Sequence, residues 1–136
     1  GKGFMLFDLK ELIPEILIKG IDISAYAIEN CKPEMKKYLE VANAKSLPYE
    51  NNSFDVVVSI NTVHNLDLKE CEMALKEIER VSKRHSYVVV DAYNNEEEKE
   101  RMYQWNLTAK TIMSRDEWKL FFKDVGYTGD YYWFTP

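Results

Sequence analysis

Histidine, cysteine and glycine are all scarce in this sequence: two, two and five residues among 136. Cys31 and Cys71 stand far apart, with no C-x-x-C pair and no Cys/His cluster, so neither a disulfide framework nor a zinc site is supported, and no metal is expected. Cys71 falls on the apolar stripe of a helical segment, where a buried thiol is the simplest reading. Positive charge is also short. Eighteen Lys and Arg against 23 Asp and Glu leave a formal charge of −5, and the pI is near 5.1. A partner held by phosphate neutralisation needs a basic face, so nucleic acid is not expected. No apolar run approaches the roughly 20 residues that span a bilayer. Nor does the N-terminus combine a basic stretch, an apolar run and a small-residue cleavage site, so the reading is cytoplasmic with no membrane partner. Internal repeats and low-complexity tracts are missing too.

What remains is a globular balance of 46% hydrophobic and 30% charged residues, enough for one core, and residues 1–136 read as a single domain. Short apolar runs alternate with amphipathic stretches, as in sheets buried on both faces by crossover helices. Residues 4–13 read as a helix that stops before Pro14. The run "ILIKGIDI", residues 16–23, reads as a strand, and Ser24 as the N-cap of a helix over 25–31. A short strand is expected at 39–42, and a loop through "AKSLPYENNSF". The β-branched run "DVVVSI", 55–60, is a strand. Asp67 with Glu70 and Ser114 with Glu117 spell two capping boxes, each heading a helix of apolar periodicity. Between them lie a strand over 86–93 and an acidic helix around "NNEEEKERMYQW". Gly126 stands where a left-handed residue ends a helix, and "YYWFT" reads as a terminal edge strand.

The chemistry begins at "GKG". Glycines there let a ligand approach the backbone, and a helix N-terminus favours an anionic group. Asp22 ends the next strand, nineteen residues beyond Gly3. A carboxylate so placed can accept from both hydroxyls of a ribose, as in dinucleotide-binding folds. At that point an NAD-dependent oxidoreductase is an equal alternative. Leu6 occupies the position of the third glycine of G-x-G-x-x-G, which weakens it.

The stretch "NAKSLPYENNSFDVVVSINTVHNL" is more specific. With Asn43, Ala44, Leu47, Pro48, Tyr49, Ser53, Phe54 and Asp55 in matching order, it resembles the class I S-adenosylmethionine-dependent methyltransferases, especially those acting on small molecules. "GKG", "GIDIS" and "EIERVSKRHSYVVVDAY" extend the likeness over nearly the whole chain. The resemblance implies a doubly wound, Rossmann-like α/β fold with a mostly parallel sheet, S-adenosylmethionine as cofactor, and a small-molecule or metabolite methyl acceptor. It implies that Gly1 and Gly3 lie against the methionine end of the cofactor and that Asp22, with Ile23 beside it, holds the ribose. Asn43, with Ala44, takes the place of the usual Asp near the adenine, where an amide oxygen still offers an acceptor.

The family's glycine-rich turn before the fifth strand is replaced by Ser82, Lys83, Arg84 and His85, so a turn without glycine is expected. Asn61, at a strand end, is expected to line the methionine moiety. His64 is the one histidine placed to act as a general base toward a hydroxyl, its alternative being a wall residue that moves no proton. A non-catalytic cofactor-binding module is the alternative to the enzyme. The resemblance also places a further, central strand before Gly1, so the sequence is expected to be a fragment of a longer gene product.

Overall fold

In the computed structural model, which describes residues 1–135, the first element is helix α1 (Phe4–Leu12). It stops ahead of Pro14, because a proline pushes its predecessor out of the helical region. Two units follow the chain, Gly1–Pro48 and Tyr49–Pro136.

In the first unit, strand β1 (Gly20–Asp22) leads through helix α2 (Ala25–Glu29) and a 3-10 turn over Pro33–Tyr38 to strand β2 (Leu39–Val41). Ser24 caps α2, its hydroxyl accepting from the Ala27 amide at 3.2 Å. β1 and β2 pair in parallel, with Gly20 opposite Leu39 and Asp22 opposite Val41. Ile18, Ile28, Met35 and Leu39 form the core between them and the helices. The strand expected over 16–23 is confined to Gly20–Asp22. β2 offers only three partners, and the Lys10 ammonium takes the carbonyls of Pro14 and Ile16 at 2.6 and 2.7 Å, tying the preceding backbone into a local knot instead of a ladder.

In the second unit the order is β3 (Phe54–Ile60), α3 (Leu68–Val81), β4 (Ser82–Tyr93), α4 (Glu96–Trp105), β5 (Met113–Ser114), α5 (Arg115–Val125) and β6 (Asp130–Phe134). β4 is the axis of the sheet, parallel to β3 on one side and to β6 on the other, with β5 added at its end. Both capping boxes are formed, on α3 by Asp67 and Glu70 and on α5 by Ser114 and Glu117. Gly126 closes α5 in the left-handed conformation. Leu75, Ile78, Val88, Val90, Trp118 and Phe122 fill the core.

The glycine-free turn expected at residues 82–85 is instead strand. α3 runs directly into β4, Phe54 pairs with Ser82 and Val56 with His85, and the irregularity between them absorbs the extra residue. A bulge of this kind does the turning that glycine would otherwise allow. Every strand ladder among the described residues is parallel, joined through helices, which is the expected α/β class. No helix among them is long and apolar enough to cross a membrane.

Candidate functional site

In the first unit the candidate residues gather at the C-terminal ends of β1 and β2. The Ala42 amide donates to the Asp22 carbonyl at 3.0 Å, so the backbones carrying Asp22 and Asn43 leave the sheet side by side. Asp22 Oδ1 accepts from the Ser24 amide at 2.8 Å, and Oδ2 meets the Gly1 amino group. Partial burial raises the pKa of this carboxyl, and the hydrogen bond from the Ser24 amide lowers it. Asp22 is thus oriented by the turn that follows it and keeps part of its surface open. Ile23, next to it, is 68% exposed. Asn43 Oδ1 accepts from the Lys45 amide at 3.0 Å, which fixes the side chain and uses one of its two lone pairs.

The two glycines of "GKG" differ. A methyl group at Gly1 would meet nothing within 4 Å. Gly3 is the N-cap of α1 with φ 75, and a Cβ there would come within 2.7 Å of Leu39 Cδ1. Gly3 is required by the backbone and by packing inside the unit. Gly20, which sequence reasoning passed over, is squeezed in the same way between Leu6 and Leu39, at 2.6 and 2.7 Å.

In the second unit, Asn61 follows the last residue of β3 with φ 49, a left-handed conformation that asparagine adopts more readily than other residues with a side chain. Its amide donates to the Val89 carbonyl at 3.0 Å and its carbonyl accepts from Asn65 Nδ2 at 3.2 Å. The 3-10 turn Val63–Asn65 then carries His64 inward, to 3% exposure. Nδ1 of His64 accepts the backbone amide of Asp91 at 3.2 Å, and Nε2 lies 3.4 Å from Asp91 Oδ2. Burial lowers the His64 pKa against the pull of that carboxylate, and burial raises the Asp91 pKa against the pull of the ring. The pair is therefore driven toward its less charged forms. Cys71 is fully buried as expected, its thiol donating to the Val63 carbonyl at 3.1 Å and pushed up to about 11 by burial.

Asp91 is the residue that sequence reasoning missed. It stands near the end of an apolar strand as Asp22 does, and the same criterion would have selected it. On the acidic helix, Met102 is core, whereas Tyr103 and Trp105 are exposed, with Trp105 packed against Phe134 at 5.6 Å. Among the described residues no three His, Cys, Asp or Glu side chains gather as a metal site.

Residues 1–90 match a protein family described as a methyltransferase domain. The chain belongs to that family. Solved structures share the fold of this methyltransferase domain. A chain of the complex between the Haloferax volcanii Trm112 methyltransferase activator and a protein assigned as a methyltransferase aligns with TM-score 0.74 and 22% identity, over 93% of this chain and 57% of that one. A Pyrococcus horikoshii protein aligns with TM-score 0.57 and 25% identity, over 63% and 40%. A Thermotoga maritima protein described as an S-adenosylmethionine-dependent methyltransferase aligns with TM-score 0.53 and 21% identity, over 93% and 70%. No curated protein matches the chain. The methyltransferase domain thus spans about half the length of the first two of these structures.

Proposed function

We propose that this methyltransferase domain binds S-adenosylmethionine and passes its methyl group to a small-molecule acceptor. The observation that carries the reading is the carboxylate of Asp22, oriented at the end of β1 by the Ser24 amide and lying inside the segment that the family matches. The residues of this strand end suit a nucleoside. Two vicinal ribose hydroxyls are donors, and each carboxylate oxygen keeps a lone pair beyond the contacts it already makes. Ile23 offers exposed apolar surface for a base, and Asn43 Oδ1 retains one lone pair for an exocyclic amino group. Gly1, where an added methyl group would meet nothing within 4 Å, Gly3 and Ala44 complete the set from the first unit. In the second unit, taken by itself, Asn61 at the end of β3 is the candidate.

When bound, the cofactor supplies an electrophilic methyl group on a sulfonium. Displacement at such a carbon asks the protein chiefly for alignment. His64 has both ring nitrogens turned to Asp91, which favours a holding role for it over that of a free base. The acidic balance of the chain supports a small acceptor over a nucleic acid.

Isothermal titration with S-adenosylhomocysteine and with NAD tests the cofactor. Asp22→Ala is expected to weaken S-adenosylhomocysteine binding by about 10- to 150-fold, the worth of charge-assisted hydrogen bonds. An unchanged dissociation constant removes Asp22 from the site. Radioactive methyl incorporation into fractionated metabolites, protein and RNA then tests the acceptor. Label in the metabolite fraction supports the proposal, and label confined to a macromolecule contradicts it. Cofactor binding with no incorporation anywhere points to a binding module.

A further inference from the structure

We infer that Asp91 is a positioning residue that acts through His64, forming a clamp that holds the strand-end turn of residues 61–66 to the loop after α4. The inference rests on the reading of Asn61 as a cofactor-side residue only for its functional consequence.

The clamp grips the turn from two sides. From the sheet, Asp91 meets both nitrogens of one ring, its own amide at Nδ1 and its own carboxylate at Nε2. An Nδ1 that accepts an amide carries no proton, so in the neutral ring the proton sits on Nε2, facing Oδ2. From the other side, the His64 carbonyl accepts two consecutive amides, Lys110 and Thr111, each at 3.0 Å. The Thr111 hydroxyl donates to the Leu66 carbonyl at 2.7 Å, and the Thr108 hydroxyl to Asn65 Oδ1 at 2.9 Å. Asn65 reaches back to the Asn61 carbonyl, so the left-handed conformation of Asn61 is the last link of a chain that starts at Asp91. The anchor itself is fixed, since the Asp91 carbonyl accepts Trp118 Nε1 at 3.1 Å in the core.

The carboxylate has an unusual feature. Oδ1 of Asp91 is buried and has no hydrogen-bond partner among the described residues. An oxygen that accepts hydrogen bonds would lose them when an amide nitrogen takes its place, but Oδ1 has none to lose. What the clamp needs from position 91 is one acceptor oxygen opposite Nε2, and asparagine supplies it. A proton acceptor in the chemistry would instead need the carboxylate, and asparagine would abolish it. The isosteric exchange therefore separates positioning from catalysis.

The experiment follows the full chain and its D91N and D91A variants by amide hydrogen exchange and by imidazole nitrogen NMR, with titration of S-adenosylhomocysteine alongside. The reporters are the amides of Asn61, bonded to Val89, of Asn65 and Leu66, bonded within the turn, and of Lys110 and Thr111, bonded to the His64 carbonyl. D91A is expected to raise their exchange together by about tenfold or more, and D91N to leave it within about threefold of wild type. S-adenosylhomocysteine affinity is expected to follow the same order. Wild type and D91N should both show the Nε2-protonated ring at pH 7.5. Exchange in D91A that is unchanged at either segment, D91N opening both segments as widely as D91A, or a ring protonated on Nδ1 in its neutral form overturns the clamp. Should D91A fail to fold, D91N decides, because retention of protection and of the Nε2-protonated ring supports positioning and their loss contradicts it. A wild-type chain that binds no S-adenosylhomocysteine defeats the functional reading, while the exchange comparison still judges the clamp.

Discussion

Gly3 carries two constraints at once, a left-handed backbone and a leucine methyl where its Cβ would be. Gly3→Ala should cost about 1–2 kcal/mol for the backbone alone, read as a lowered thermal midpoint. An unchanged midpoint would show that this turn is not held in the folded protein. His64 has a signature in pH. Its pKa is lowered by burial, so the unfolded chain binds a proton near pH 6.5 that the folded chain refuses. Its contribution is complete above that value and is lost as pH falls through the folded pKa. Asp91, raised by burial, acts with opposite sign in a lower window, where stability is lost as pH rises through its folded pKa. Urea unfolding between pH 7.5 and 5.5 should therefore show stability falling toward acid, with a flatter dependence in His64→Gln. Equal slopes would contradict a buried neutral ring. The place of Asp22 at the end of β1 was legible in the sequence because it follows from its own strand and a turn two residues away. The engagement of His64 was not, because its partner lies 27 residues further on and only the β3–β4 register brings them together.

Caps and periodicities are local, and the helices show it. Asp67 with Glu70 and Ser114 with Glu117 form the expected reciprocal hydrogen bonds, because each needs only three residues of sequence to close. Asp67→Ala should lower stability by about 1 kcal/mol, the usual worth of an N-cap, measured as a shift in the urea midpoint at constant slope. A neutral result would mean that α3 is held by packing alone. Strand lengths behave differently, since a strand extends only as far as its neighbour does. "ILIKGIDI" has the composition of an eight-residue strand, yet β2 pairs with three of those residues. The opposite error occurred at residues 82–85, whose polar sequence reads as a turn, while pairing with β3 draws them into β4 through a bulge.

Taken unit by unit, the chain concentrates its core unevenly. Among the described residues, the Gly1–Pro48 unit holds a two-stranded sheet and four buried hydrophobic residues, whereas the Tyr49–Pro136 unit holds a four-stranded sheet and fourteen. A two-stranded sheet is marginal on its own, so amides of β1 and β2 should exchange with deuterium well before those of Val88 and Val90. Comparable protection in both would contradict this ordering. The α/β class was legible at this scale because alternation of apolar runs and amphipathic helices is a property of the whole sequence, and so was the family, whose match covers residues 1–90. The division into two units was not, since no linker composition marks it. Ligand binding at Asp22 and Asn43 should also raise protection in β1 and β2, where the candidate nucleoside site is built. The most direct measurement is isothermal titration of the chain with S-adenosylhomocysteine and with NAD, in wild type and Asp22→Ala. The account predicts saturable S-adenosylhomocysteine binding that weakens about 10- to 150-fold in the variant, with no heat from NAD. NAD binding in place of S-adenosylhomocysteine, or an Asp22→Ala chain that binds S-adenosylhomocysteine as tightly as wild type, would contradict it.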